Sequence, residues 1–295
     1  IVVHPWLPYP PLCHFLSPIS GASHTTSTAL WLQGRVMTMT EDKAEQNLSF
    51  GVDIGGSGVK GAVVDLNTGD LVTERFKILT PKPSTPDAVA EVVRKLMDMA
   101  EWDGPVGVTV PAVVKDQKAR SAANIDKSWI NTDMQELFKR HLGEREIAVL
   151  NDADAAGLAE VEYGEASAKQ GAVLMLTFGT GIGSAMLCDG YLFPNSELGH
   201  LPHDKNGDVE WYASSAAKDR EELSYKKWAA RVDEVLHAYS ALFSPKTFIV
   251  GGGISRKADK WVPLLTVEED VIPAKLRNQA GIIGAAMAVR DGIKP

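Results

Sequence analysis

The sequence predicts an α/β protein built from two similar halves. Residues 50–65 and 172–193 share one order of features, in which an apolar strand leads through a turn of small residues into a second strand. In each half, segments with helical spacing of apolar residues and further short apolar runs follow. Alternating strands and helices predict an α/β fold, and the repeated strand pair favours two similar halves over one doubly wound sheet.

The first strand pair, "FGVDIGGSGVKGAVVD" (50–65), contains the spacing G-x-G-x-x-G of a dinucleotide-binding turn. Such a turn must open a helix directly, but the apolar residues 62–64 lead into an Asn-Thr-Gly-Asp turn instead. Lys60 is followed by glycine, so the segment is not a Walker A motif either. We predict a hairpin, whose backbone N–H groups either bind an anion or bind nothing.

The rest of the first half continues the alternation of strands and helices. Apolar residues at helical spacing follow Thr85, a suitable N-cap, and Pro86, a suitable first helical residue. Further elements are predicted as a strand over 104–112, a helix over 131–142, a strand over 146–152 and a helix over 153–166.

The second half repeats this organisation. Three strands joined by turns are predicted over 172–193, and another strand over 247–255 runs into three glycines. A closing helix is predicted over 278–292, where small residues permit close packing.

Composition and charge exclude several classes of protein. The 295 residues are 44% hydrophobic, which suffices for a sizeable core, and the formal net charge of -8 argues against general nucleic-acid binding. No apolar run has the length of about 18–20 residues that a membrane span requires. Two cysteines, Cys13 and Cys188, indicate a reducing compartment. We expect a soluble, cytoplasmic protein with no nucleic-acid or membrane partner.

The first 48 residues differ from the remainder. They are rich in Pro, Ser and Thr and have no sustained period, no basic leader and no pair of periodic helices. These features exclude a signal peptide and a DNA-binding helix-turn-helix. We expect residues 1–48 to be a disordered segment or a segment added for expression.

Seven motifs together resemble one known family. They are "DIGGSGVK", "NDADAAGLAE", "LTFGTGIGSAM", "SELGH", "VEWYAS", "VGGGIS" and "AGIIGAAM". Their order resembles that of the ROK-type sugar kinases, over essentially all of residues 49–292, and residues 124–133 and 251–261 look most like the polyphosphate glucokinases within that family. The resemblance implies the two-lobed actin/hexokinase/Hsp70-like (ribonuclease H-like) α/β fold, with a mixed sheet and helices on both faces in each lobe.

The resemblance also implies a division of the chain and an activity. A small N-terminal lobe would span 49–150, with the C-terminal helix at about 279–292 packing back on it, and a large lobe would span 151–278. The activity would be transfer of a terminal phosphoryl group from inorganic polyphosphate or ATP to the 6-hydroxyl of glucose, and also of mannose. A strictly ATP-dependent glucokinase and a non-catalytic sugar-sensing regulator are the alternatives. The sequence does not determine the oligomeric state, for which a homodimer is one expectation.

The acceptor side of the site is expected at two strand ends. By resemblance, Asp152 is the general base, since an attacking hydroxyl needs a carboxylate to take its proton. The residues expected to bind the sugar are Asn124, Asn151, Asp152, Glu197, His200 and Glu210. A purely structural alternative is that Asn151 and Asp152 cap the following helix, although Asp154 is the better candidate for a cap.

The donor side is expected at the glycine turns. The resemblance implies that these turns face each other across a cleft and hold the phosphates of the donor. The phosphate-binding residues would be Asp53, Gly55, Gly56, Ser57, Gly58, Lys60, Thr177, Gly179, Thr180 and Gly181. The adenosine of ATP would lie against Gly251, Gly252 and Gly253.

Magnesium is the expected cofactor, because a phosphate tail must be neutralised before an oxygen nucleophile approaches. Asp53 is the best carboxylate to position this ion, through water. Many ROK proteins carry a cysteine-rich zinc motif between the positions of His200 and Glu210, but this chain has "LPHDKNGDV" there. We therefore predict no zinc site.

A long polyphosphate would also need a basic track beyond the cleft. Candidate segments, in which the basic residues could equally form a solvated face, are 118–127, 218–231 and 256–260.

Overall fold

The computed structural model describes residues 47–122, 125–203 and 207–295. The predicted N-terminal extension lies outside these residues except for Asn47 and Leu48, and so does Asn124. Among the described residues, no helix combines the length and the apolar character that crossing a membrane requires.

The first sheet is mixed and contains the predicted hairpin. Its strands are β1 (Leu48–Gly55), β2 (Gly58–Asp65), β3 (Asp70–Leu71), β4 (Phe76–Ile78), β5 (Val106–Val110) and β8 (Ile147–Asn151). The order is β3-β2-β1-β5-β8, with β4 also paired to β2. β1 and β2 are antiparallel, and the register places Asp53 opposite Lys60, whereas β1, β5 and β8 run parallel. The hairpin explains why the glycine spacing is not a dinucleotide fingerprint.

The second sheet repeats this plan. Its strands are β9 (Ala172–Phe178), β10 (Ile182–Cys188), β11 (Tyr191–Phe193), β12 (Thr247–Gly251) and β13 (Asp270–Pro273), in the order β11-β10-β9-β12-β13. β9 and β10 form the second antiparallel hairpin, and β12 continues the sheet parallel to β9. β6 (Val114–Lys115) and β7 (Lys118–Ala119) form a separate small ribbon.

Seven α-helices cover the sheets in the described part of the chain. They are α1 (Pro86–Met99), α2 (Met134–Leu142), α3 (Asp152–Tyr163), α4 (Val209–Ala213), α5 (Ser215–Arg220), α6 (Tyr225–Phe243) and α7 (Ala280–Arg290). α1 begins at Pro86 after Thr85, as predicted, although the Thr85 side chain makes no capping hydrogen bond. α2 begins three residues later than predicted, because Asp133 caps it by accepting from the backbone N–H of Glu136.

Three apolar clusters show how the layers pack. α1 and α2 pack on one face of the first sheet, and α6 packs on one face of the second. α3 and α7 form the shared middle layer, since one cluster joins their small apolar residues to strands of both sheets. α7 contacts β1, β5 and α3, so the last helix returns to the first sheet. This arrangement brings the carboxyl ends of the central strands of both sheets towards one region.

Candidate active site

The site lies where parallel strands end, the usual place for ligands in open α/β sheets. One cavity of about 460 Å³, named here the acceptor cavity, is lined by residues that follow β5, β8 and β9. A second cavity of about 230 Å³, the donor cavity, is lined by residues of β1, β2 and β12 and by the start of α7. Asp152, Thr177 and Gly252 line both. These three residues therefore mark the junction of the two cavities.

The acceptor cavity collects most of the residues predicted to bind sugar. Its walls include Asn151, Asp152, Glu197, His200 and Glu210. The predicted turn residues Gly179, Thr180 and Gly181 line the same cavity. Segments that are far apart in the sequence thus meet on one surface, while Asn124 lies outside the described residues.

Asp152 stands at the first position of α3 with its side chain open to the cavities. The protein atoms packed around the carboxyl group remove water from it, and the charge on Asp53 opposes its ionisation. These two causes, in that order, raise the pKa of Asp152 to about 6. A carboxylate with a raised pKa is a stronger proton acceptor, and it is still mostly ionised at neutral pH.

Asn151 is the N-cap of α3. Its Oδ1 atom accepts hydrogen bonds from the backbone N–H groups of Ala153 at 2.8 Å and Asp154 at 3.2 Å. Its Nδ2 atom donates to the carbonyl oxygen of Ala112 at 3.2 Å, which leaves one N–H of the amide for the cavity that it lines. Asn151 can therefore cap the helix with its oxygen and contact a sugar with its remaining N–H.

Asp154 is not the helix cap, contrary to the sequence prediction. It is fully buried, and its Oδ2 atom accepts from the backbone N–H of Asn195 at 2.8 Å. Burial raises the pKa of Asp154 to about 7. Asn151 caps the helix instead because its position directly before the first helical residue places its side chain over the free N–H groups.

Four titratable side chains form a linked group at the acceptor cavity, and three of them, Glu197, His200 and Glu210, line its wall. His200 lies 3.7 Å from Glu197 and 3.9 Å from Glu210, and its Nδ1 atom is 3.1 Å from Asp208. The hydrogen bond with Asp208 is the main cause that raises the pKa of His200. Burial raises the pKa of Glu197. Such a group of acceptors and donors can recognise several neighbouring hydroxyls.

Glu210 is held in place by the turn between β9 and β10. Its Oε2 atom accepts from the backbone N–H of Ile182 at 3.1 Å. A methyl group at Gly181 would overlap this carboxylate, so only glycine admits Glu210 to the position that it occupies. Gly252, which lines both cavities, has a φ of 84° that also favours glycine.

The donor cavity contains one ion pair. Lys60 donates from Nζ to Oδ2 of Asp53 at 2.9 Å, and the hydroxyl of Thr109 lies 3.3 Å from Oδ1 of Asp53. Gly251, Gly252 and Thr177 line the same cavity. Asp53 and Asp152 are two oxygen-donor carboxylates on one wall, which is a donor set that suits Mg²⁺.

Some predicted site residues do not reach the cavities. Neither cavity is lined by Gly55, Gly56, Ser57, Gly58 or Gly253. The carbonyl oxygen of Gly55 accepts instead from the Thr80 hydroxyl at 2.5 Å. A role of the 55–58 turn in phosphate binding stays a prediction.

Residues without any sequence motif also line the cavities. Arg277 and Asn278 reach the donor cavity, and Asp208 joins His200 at the acceptor cavity. In the described part of the chain, His200, Asp208 and Glu210 are the one group of three potential metal ligands, with ligand atoms within 4.8 Å of one another. They offer one imidazole and two carboxylates without cysteine, and the absence of zinc stays a prediction.

Comparison with known proteins gives consistent results. The sequence model of the ROK family matches residues 49–211. The polyphosphate glucokinase of Mycobacterium tuberculosis (strain CDC 1551 / Oshkosh) is 50% identical over 249 residues, which are 84% of this chain and 94% of that protein. The crystal structure of the inorganic polyphosphate/ATP-glucomannokinase from Arthrobacter sp. strain KM matches with a TM-score of 0.77 and 46% identity, over 83% of this chain and 99% of that one.

A more distant structure has the same fold. The ROK family glucokinase from Streptomyces griseus, in complex with glucose and AMPPNP, matches with a TM-score of 0.71 and 25% identity, over 83% of this chain and 100% of that chain. The mixed sheets with their helices thus match structures of ROK sugar kinases, and the predicted actin/hexokinase-like fold class is confirmed. By the family match and by these identities, the chain belongs to the ROK family.

Proposed function

We propose that this chain is a kinase that transfers the terminal phosphoryl group of inorganic polyphosphate or ATP to the 6-hydroxyl of glucose. One observation carries the proposal: Asp152 belongs to both cavities, of which one offers hydroxyl-binding side chains and the other cationic and N–H groups. The names of the polyphosphate glucokinase from M. tuberculosis and of the Arthrobacter glucomannokinase support the donor and the acceptor. Mannose as a second acceptor has the support of the latter name alone.

On the acceptor side, the group around His200 orients the sugar. Glu197 and Glu210 accept hydrogen bonds from hydroxyls, while the free N–H of Asn151 donates one. The sugar thereby presents its 6-hydroxyl to Asp152, which takes the proton as the oxygen attacks phosphorus. Positioning of this kind contributes most of the rate in phosphoryl transfer, because little covalent chemistry is left to the protein.

On the donor side, the phosphates lie between Lys60 and the start of α7. Ala280 and Gly281, the first residues of this helix, line the donor cavity, and Gln279 makes no side-chain cap. The positive end of the helix dipole therefore favours an anion in this cavity. Lys60, which lines the same cavity, adds a formal positive charge that it shares with Asp53.

Asp53 would position Mg²⁺ through water. Both of its oxygens already have partners in Lys60 and Thr109, so an indirect contact preserves these bonds. When bound, the ion neutralises the charge of the donor phosphates.

Three further parts of the proposal concern organisation. The lobes comprise residues 49–150 and 151–278, and they close over the sugar so that water does not compete with the 6-hydroxyl. The assembly is a homodimer, which light scattering after size-exclusion chromatography would test.

Asp152→Asn tests the proposed base. The amide keeps the size of the side chain and can still accept from the N–H of Ala153, but it takes no proton. We expect the turnover number to fall by about 10²–10⁴, with glucose still bound in calorimetric titration. Asp154→Asn is the matched control, because Asp154 belongs to the same helix and lines neither cavity. Near-normal turnover of Asp152→Asn would remove Asp152 from this role.

Polyphosphate and ATP supplied separately in a coupled assay for glucose 6-phosphate test the donor. Activity with ATP alone would favour the strictly ATP-dependent glucokinase. Sugar binding without product from either donor would favour the regulator.

A further inference from the structure

A third cavity, of about 370 Å³, opens beside the donor cavity. The two cavities share Arg277 and Asn278 in their walls. The third one is also lined by Arg75, Arg256 and Lys275, and it is named here the basic cavity. It therefore continues the donor cavity away from Asp152.

The arginines of the basic cavity differ from the other arginines of the described chain in their ion pairing. The guanidinium groups of Arg75, Arg256 and Arg277 have no carboxylate oxygen within 4.0 Å among the described residues. Each other described arginine has one, and these are Arg94, Arg120, Arg140, Arg145, Arg220, Arg231 and Arg290. The three guanidinium groups without a carboxylate are thus the three that converge on one cavity.

In the other basic segments predicted from the sequence, 118–127 and 218–231, each arginine and the lysines Lys118 and Lys218 have a carboxylate partner. Lys118 pairs with Asp133, and Arg120 pairs with Asp116. Arg220 and Arg231 share Glu221. Among the described residues that line the basic cavity, the Lys275 side chain pairs with a carboxylate, Glu165 at 2.8 Å. The Glu160 carboxylate accepts from the backbone N–H groups of Lys275 and Leu276, and its bonds are made to the backbone rather than to a guanidinium group.

The chemistry of the walls favours a chain of phosphates over a nucleotide base. Guanidinium groups bind phosphate oxygens in pairs of hydrogen bonds. Of the described residues, Leu276 is the one apolar residue that lines the basic cavity, and none of its lining residues is aromatic and able to stack on a base. Arg75 is held at the wall by a hydrogen bond of 3.3 Å from Nη1 to the carbonyl oxygen of Asn278, and its other N–H groups remain available.

We infer that the basic cavity binds the chain of inorganic polyphosphate that extends beyond the phosphates in the donor cavity. This inference rests on the proposed function, since it deepens the description of the donor. The chain passes Arg277, which belongs to both cavities, and then runs between Arg75 and Arg256. Beyond its three phosphates ATP offers only uncharged ribose and adenine, whereas polyphosphate offers further anionic phosphates, so these two arginines distinguish the donors.

The test compares donors in the variants Arg75→Gln, Arg256→Gln and the double variant. Initial rates give KM for long-chain inorganic polyphosphate, for ATP and for glucose. We expect the double variant to raise KM for polyphosphate about tenfold or more, since hydrogen bonds between charged groups are lost. KM for glucose and the ATP-dependent turnover stay near the wild-type values. The slope of log KM for polyphosphate against log salt should fall by about 0.7 for each arginine removed, as for other flexible polyanions.

Arg140→Gln is the matched control. It removes the same charge from an exposed position on α2, and Arg140 lines none of the three cavities. We expect its KM for polyphosphate to remain at the wild-type value. Thermal unfolding of each variant verifies that it is folded.

The outcomes separate this inference from the proposed function. If wild-type protein uses polyphosphate and the double variant keeps its KM and salt slope, the inference is wrong and the proposed function stands. An equal rise in KM for ATP also overturns the inference, because the arginines would then contact the reacting phosphates. If wild-type protein forms no glucose 6-phosphate from polyphosphate, the proposed donor fails and the inference fails with it.

Discussion

The pH dependence of the reaction follows from the surroundings of Asp152. The protein atoms that displace water from its carboxyl group inside the cleft, and after them the charge on Asp53, raise the pKa of this group from 3.8 to about 6. Only the ionised form accepts a proton, so activity is present above this pKa and is lost as the pH falls through it. At pH 5, about a tenth of Asp152 is ionised, whereas a carboxyl group with an ordinary pKa would be more than about 90% ionised.

The assay measures kcat/KM for glucose between pH 4.5 and 8, with the phosphoryl donor at a concentration far below the KM for that donor. Under these conditions the pH dependence of kcat/KM reports the pKa values of the free protein. We expect a loss of about tenfold between pH 7 and pH 5. Asp53→Asn removes the second cause of the raised pKa of Asp152. The loss of activity at low pH should therefore move to lower pH, with a midpoint that stays above the ordinary pKa of an aspartate. A flat profile between pH 5 and pH 7 would refute the reasoning, and so would an unmoved midpoint in Asp53→Asn.

Two further predictions concern Gly181 and Asp154. Gly181→Ala should raise KM for glucose by about 10- to 100-fold, because the added methyl group displaces the Glu210 carboxylate and its charged hydrogen bonds. Gly179→Ala, whose methyl group meets no atom within 4 Å, should raise that KM far less, and equal effects would contradict the steric explanation. The pKa of Asp154 in the folded protein, about 7, exceeds the ordinary value of 3.8, so its contribution to stability is lost as the pH rises from about 4 to 7. The free energy of unfolding of Asp154→Asn relative to that of wild type, both measured in urea, should therefore rise across this window by at most about 4 kcal/mol. A difference that does not change with pH would contradict the raised pKa of Asp154.

Local patterns were sufficient to predict the frame of the fold. The hairpin at 50–65 was predictable because a turn signal, and not a helix, follows the glycines. The position of Asp152 at the cavities was predictable because it directly follows a buried strand in a motif typical of the family. The sequence analysis does not give the bounds of helix α6 (Tyr225–Phe243). Its buried residues Trp228, Val232, Val235 and Tyr239 follow a helical period, but charged residues stand between them and make the segment resemble a solvated face.

Other features depend on contacts that a linear pattern does not contain. Asn151, and not Asp154, caps α3. The sequence does not show this, because the cap depends on which side chain lies over the free N–H groups at the start of the helix. Arg75 and Arg277 are about 200 residues apart, and only the folded chain shows that both line the basic cavity with guanidinium groups that pair with no carboxylate of the described residues. The hydrogen bond between His200 and Asp208 is likewise not predictable, because Asp208 belongs to none of the motifs.

The central claim is that Asp152 deprotonates a sugar whose new phosphate comes from the adjoining cavity. Its most direct test is the formation of glucose 6-phosphate from glucose, Mg²⁺ and nucleotide-free polyphosphate, measured with wild-type protein and Asp152→Asn side by side. The account predicts steady product formation by the wild-type protein and a rate at least about 10² lower in the variant. Equal rates in the two proteins would contradict it.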